Sequence, residues 1–175
     1  MRRLPALIVA IAALMIALVT VVTLLVRIPI PATQGYFNFS DVVIYFVSFT
    51  FGPWIGFIAG GLGTAIADLV SGFAVFAPIS FLAHGLQGLL AGLLGRGRGW
   101  QGLLLGWLAG TLAMVGIYFL AELFLYGIGA AAAEVPANLL QNLGGGLIGI
   151  PLFYAVRRAY PPITQLGQGR TWREE

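Results

Sequence analysis

Residues 5–26 read PALIVAIAALMIALVTVVTLLV, 22 positions without a charge, with Thr20 and Thr23 as the polar side chains. At 1.5 Å of rise per residue such a helix is about 33 Å long, which matches a hydrocarbon core of about 30 Å. The run follows Met1-Arg2-Arg3 and superficially resembles a signal peptide. No clear small-x-small cleavage site precedes the next polar stretch, so it reads as an uncleaved first helix.

The remainder of the chain continues in the same vein. Of 175 residues, 59% are hydrophobic and 9% charged, and the mean hydropathy is +0.96. This balance lies outside that of soluble domains and makes lipid the solvent. Apolar runs bounded by Gly, Pro and charge fall at about 5–27, 41–52, 54–72, 78–95, 102–127 and 135–157. They predict an all-α integral membrane fold, with a single six-helix membrane domain over 1–158 and a polar cytoplasmic tail over 159–175. The second run is short, and Gly52-Pro53 breaks it from the third. That pair predicts a tight helical hairpin whose first arm spans only by tilting or with help from the preceding loop.

Arginine orients the bundle. Arg2 and Arg3 precede helix one, Arg96 and Arg98 lie between helices four and five, and Arg157 and Arg158 end helix six. With six crossings all three clusters share one side, which the positive-inside rule makes cytoplasmic, together with both termini. Arg27 opens the outer loop instead, where it either snorkels to the headgroups or serves a ligand. The cations are short arginine clusters between apolar runs, not a basic face, so nucleic acid is not a partner. Absence of cysteine excludes disulfides and thiolate chemistry, and a lone histidine supports neither a metal site nor a cofactor.

The polar residues within the helices converge at one depth. Asp68 lies roughly 6 Å from the outer end of helix three, His84 roughly 9 Å into helix four, and Glu122 about 7 Å from the outer end of helix five. Asn138, Gln141 and Asn142 occupy the same layer of helix six. Each helix also confines them to one stripe: Thr64, Asp68 and Ser71; Ser80, His84 and Gln87; Thr111, Tyr118 and Glu122; and the helix-six amides. A charge facing lipid costs on the order of 2.5–3.5 kcal/mol, so the stripes predict a polar cavity near the outer side. The inner half carries mainly Leu, Ile, Ala and Gly and offers no lining for a through-pore. Against a ligand role, buried hydroxyls can return to backbone carbonyls, His84 can pair with Asp68 or Glu122, and Asp41 or Ser40 can cap helix two. Glycines at 56, 60, 63, 88, 92, 95, 145 and 149 suit close helix packing, and Gly144-Gly145-Gly146 lacks the context of a phosphate loop.

Several stretches resemble S components of energy-coupling-factor (ECF) transporters, of the riboflavin-type or hydroxymethylpyrimidine-type subgroup. They are IPIPATQGYFNFSD at 28–41, FGPWIG at 51–56, GGLGTAIAD at 60–68, FAP at 76–78 and HGLQG at 84–88. The resemblance implies a six-helix S-component bundle in a prokaryotic cell membrane that captures a vitamin or precursor from outside. It also implies a transmembrane T subunit and two cytoplasmic ATPases as partners, and no ATPase motif in this chain. Pro29 to Ser40 becomes a lid, with Gln34, Tyr36 and Asn38 as its ligand contacts. The remaining substrate-binding candidates are Asp68, His84, Gln87, Tyr118, Glu122, Asn138, Gln141 and Asn142. Ala6, Ala10, Ala13 and Ala17, spaced like the family's small-residue motif, become the partner interface; internal packing is the alternative. The amides and Tyr118 or Phe81 suit a heteroaromatic ring, with a small hydroxylated pyrimidine or pyridine, such as hydroxymethylpyrimidine or pyridoxine, ahead of riboflavin or thiamine.

Two other classes compete. An intramembrane hydrolase could use Glu122, His84 and Asn142 on water, but HExxH and a Gly-x-Ser-x-Gly nucleophile are missing. A structural or assembly protein fits the glycine packing but not the polar layer. The orientation is directly testable because the chain has no native cysteine: a cysteine placed at position 97 should react with a membrane-impermeant maleimide only after the cytoplasmic face is exposed. Labelling from outside intact cells would overturn the topology.

Overall fold

The structure, a computed structural model, describes residues 4–30 and 35–166. Its elements are α1 (Leu4–Leu25), β1 (Ile28–Ile30), β2 (Gly35–Phe37), α2 (Ser40–Phe51), α3 (Pro53–Ser71), α4 (Ala77–Gly95), α5 (Gly99–Tyr126), α6 (Ile128–Ala159) and the one-turn α7 (Ile163–Leu166). Each boundary follows from local chemistry. Gly52 adopts φ +101 between α2 and α3, a conformation that a side chain disfavours, and Pro53 then starts α3 where its missing N–H is harmless. Helix α6 begins at Ile128, earlier than the 135 expected from sequence, and runs through Pro136 and Pro151. The Gly129 to Glu134 stretch therefore belongs to a helix, since Ala130 to Ala133 favours helix strongly enough to carry the chain through the first proline.

Among the described residues, five helices are long and apolar enough to cross a membrane. The expected sixth span, α2, has 12 residues and is about 18 Å long, well short of a hydrocarbon core. Its residues are nearly all buried, including Val43, Ile44, Tyr45, Val47 and Phe49. Helices α1, α3, α4 and α6 pack around it. Protein rather than lipid surrounds α2, so bilayer thickness does not dictate its length.

Glycine sets the approach of the surrounding helices. A Cβ on Gly60 of α3 would sit 2.6 Å from the carbonyl oxygen of His84 on α4, and one on Gly106 of α5 would sit 2.6 Å from that of Ala91. In lipid, where apolar burial drives little association, such backbone proximity supplies the dispersion contact. Helix α1 packs on α3 through Val19 against Gly63, and Thr20 Oγ1 donates to the Gly63 carbonyl at 2.9 Å. Its bundle-facing side is thus Met15, Val19 and Thr23, while Ala6, Ala10, Ala13 and Ala17 are exposed on the other.

The two ends of the bundle differ in charge. One carries the β-hairpin, the Gly72 to Phe76 turn and the α5–α6 junction, with Asp41, Asp68, Glu122 and Glu134 nearby. The other carries the α2–α3 and α4–α5 turns and α7, with Arg96, Arg98, Arg157 and Arg158. The packing predicts that Gly60→Leu, which forces bulk against the α4 backbone, destabilises the protein by about 1–3 kcal/mol or more. Gly116→Ala, with no neighbour within 4 Å of the added Cβ, should leave the thermal midpoint unchanged or raised. Thermal unfolding of both variants in detergent checks this, and equal behaviour would refute it.

Candidate functional site

The expected lid is a two-stranded antiparallel hairpin, pairing Ile28 with Phe37, Pro29 with Tyr36 and Ile30 with Gly35. Gln34 lies outside the described residues. Two polar contacts join the hairpin and its exit to the bundle. The Tyr36 hydroxyl donates to Asp68 Oδ1 at 2.6 Å, and the Asn38 backbone N–H donates to Gln141 Oε1 at 2.8 Å. Burial, reinforced by the Asp68 carboxylate, pushes the Tyr36 phenol above its ordinary pKa, so it keeps the proton it donates. The Asn38 side chain accepts from the Ser40 N–H at 2.7 Å and shapes the start of α2.

Beneath the hairpin lies a cavity lined by Tyr36, Asn38, Asp68, His84, Tyr118, Asn138 and Gln141, seven of the residues expected from sequence. Thr23, Thr64, Phe76, Ser80, Met114 and Glu134 complete the wall. The cavity volume is about 20 Å³, enough for about one water molecule. A ring-sized ligand must therefore displace the hairpin contacts. Tyr118 faces the cavity with its hydroxyl 2.6 Å from Ser80 Oγ and its ring edge-on to His84, centroids 5.7 Å apart.

Gln87 and Asn142 do not line the cavity but build its floor. Asn142 Oδ1 accepts from Tyr45 at 2.7 Å and from Gln87 Nε2 at 2.9 Å, while its Nδ2 donates to the Asn138 carbonyl at 3.0 Å. Every direction of that amide is thus occupied by protein. His84 Nδ1 lies 2.8 Å from Gln87 Oε1 and 3.3 Å from Asp41 Oδ1. Glu122 is fully buried on α5 and is not among the residues that line the cavity, and neither carboxyl oxygen has a hydrogen-bond partner among the described residues. Thr64 and Thr111 return their hydroxyls to the Gly60 and Trp107 carbonyls at 2.8 and 2.9 Å.

Three residues escaped the sequence reading. Asp41 caps nothing: Phe39 holds the N-cap position without a side-chain bond, and Asp41 is buried against His84. Tyr45 reads as one more aromatic in an apolar run, yet its hydroxyl reaches Asn142. Glu134 stands four residues before Asn138 on the same helical stripe, a spacing that would have identified it had α6 been started earlier.

Comparison with known proteins agrees with this architecture. The family of ECF-type riboflavin transporter S components matches residues 5–158. An uncharacterized protein in the "gap 3'region" of Pyrococcus woesei is 40% identical over 148 residues, covering 84% of this chain and 99% of its own. The thiamine precursor transporter HmpT of Lactococcus lactis subsp. cremoris (strain MG1363) is 37% identical over 130 residues, covering 74% of this chain and 75% of its own. A solved structure described as the S component of a bacterial ECF transporter superposes with a TM-score of 0.65 at 22% identity, over 87% of this chain and 96% of that one, and shows the shared fold. The chain belongs to the ECF-type riboflavin transporter S-component family: it is a multi-pass membrane protein of vitamin uptake, not an enzyme.

Proposed function

We propose that this protein captures a thiamine precursor of the hydroxymethylpyrimidine class from outside and delivers it to a transmembrane T subunit driven by two cytoplasmic ATPases. The observation that carries the substrate assignment is the convergence of Asp68, His84, Tyr118, Asn138 and Gln141 from four helices on one small cavity beneath the hairpin. Their carboxylate, imidazole, phenol and amides match the donors and acceptors of an amino- and hydroxymethyl-substituted ring. The name of the 37%-identical Lactococcus relative supports the same class. Riboflavin, named in the family's description, is tricyclic and requires far more displacement around a cavity of about 20 Å³.

Capture is an exchange of partners. The ligand competes with Tyr36 for Asp68 and with the Asn38 N–H for Gln141, so binding releases the hairpin from one set of contacts and closes it over another. Each exchanged bond is worth about 0.5–1.5 kcal/mol, or about 1.5–3 where a charge takes part, which keeps opening accessible. The hairpin end faces outward and the arginine end faces the cytoplasm, as the positive-inside rule directs.

Hydroxymethylpyrimidine should raise the thermal midpoint of the purified protein at concentrations where riboflavin does not. Asp68→Asn and Asn138→Ala should each weaken its affinity by about 5- to 150-fold while the fold persists, because each leaves a ligand group unpaired at a cost of about 1–3 kcal/mol. Asn142→Ala should lower stability and affinity together, since its amide serves the floor. Stabilisation by riboflavin alone would replace the substrate, and unchanged affinity in both cavity variants would reject the site.

Delivery rests on α1. Ala6, Ala10, Ala13 and Ala17 form a shallow exposed strip opposite the side that packs on α3. A strip without bulk lets another helix approach closely in lipid. Ala13→Trp should abolish co-purification with the ATPase-bearing module and uptake, while the isolated protein keeps its ligand affinity. Lost affinity with retained co-purification would overturn the docking surface.

A further inference from the structure

Two open clefts lie at the arginine end, away from the capture site. A cavity of about 310 Å³ is bounded by Phe49, Phe153, Arg96, Arg157 and Thr164, and an adjoining one of about 210 Å³ shares Phe153 and Arg157 with it and adds Leu103 and Tyr154. Their walls are amphipathic. Phe49 and Phe153 meet edge-on, centroids 6.2 Å apart, and both are buried. Arg157 Cζ stands 6.0 Å above the Phe153 ring, which holds this exposed guanidinium at the mouth. Arg96 Nη2 donates to the Thr164 carbonyl at 2.7 Å and so fixes α7 as the outer wall.

Among the described residues every carboxylate lies toward the hairpin, and no carboxylate pairs with Arg96 or Arg157. Arg96 is partly buried, and that desolvation pushes its pKa below the ordinary guanidinium value. A guanidinium offers five donors in a planar fork suited to phosphate. Tyr154, which lines the smaller cavity, is exposed, as are Trp100 at the start of α5 and Tyr160 just after α6, as aromatic side chains are at the headgroup layer of a membrane.

We propose that this cleft binds the phosphate headgroup of an anionic membrane lipid, with Arg157 and Arg96 as its phosphate ligands and the apolar walls receiving the start of an acyl chain. The bound lipid ties together the C-terminal end of α6, the α4–α5 turn and α7. The competing account is that these arginines only offset the negative C-terminal ends of α2, α4 and α6, an effect without preference for phosphate.

Thermal midpoints of the protein in neutral detergent, titrated with phosphatidylglycerol, phosphatidylcholine or inorganic phosphate, separate the two. Phosphatidylglycerol should raise the midpoint saturably and the others should not. Arg157→Gln should raise the half-saturating phosphatidylglycerol concentration about tenfold, the loss of one charge-assisted contact. Arg158→Gln, on an exposed residue that does not line the cleft, should leave the titration unchanged. Equal responses to the two lipids, or an unaltered Arg157→Gln titration, would overturn the proposal, and equal stabilisation by inorganic phosphate would replace the lipid with a soluble anion. Because Arg96→Gln also frees α7 and can unfold that end, the decision rests on Arg157.

Discussion

Hydrocarbon supplies no hydrogen-bond partner, so a polar side chain on a membrane helix has to find its partner inside the protein. In this chain that requirement converges on Asn142. Its amide joins Tyr45 of α2, Gln87 of α4, Met114 of α5 and the Asn138 carbonyl of its own helix. Satisfying all of them fixes the rotation of four helices about their axes. Those rotations then aim His84, Tyr118, Asn138 and Gln141 at a common space, into which α3 adds Asp68. The cavity beneath the hairpin is thus the unfilled upper part of a polar network whose lower part holds the bundle in register.

Close packing makes the network possible. Side-chain hydrogen bonds of 2.7 and 2.9 Å between helices require backbones nearer than bulky residues permit, and the glycines of α3, α4 and α5 allow it. The same packing encloses α2, which surrenders its lipid contact and can be short. Its shortness in turn leaves room above for the hairpin, tied down by Tyr36 and by the backbone of Asn38. A hairpin held by a few bonds of modest strength thus sits over a frame held by many.

The charge distribution follows a second constraint. Acidic residues gather at the hairpin end, where a polar ligand can use them, and the arginines Arg96, Arg98, Arg157 and Arg158 gather at the other. That asymmetry gives the two ends different chemistry: one suited to exchanging a small polar solute, the other to holding still against phosphate-rich headgroups.

Sequence alone determined the membrane class, the run boundaries to within a few residues for most helices, the polar layer, and seven of the cavity-lining residues, because a charge or amide in an apolar helix has one affordable direction to face. Periodicity registers which face of a helix a residue occupies, but not what stands opposite it. Tertiary structure was therefore needed to turn Asp41 from a cap into the partner of His84, to move Gln87 and Asn142 from the cavity wall to its floor, and to bring Tyr45 into the network. It also decided that α2 is an internal helix and that α6 begins at Ile128. Both depend on what surrounds the backbone, and a linear chain does not display its surroundings.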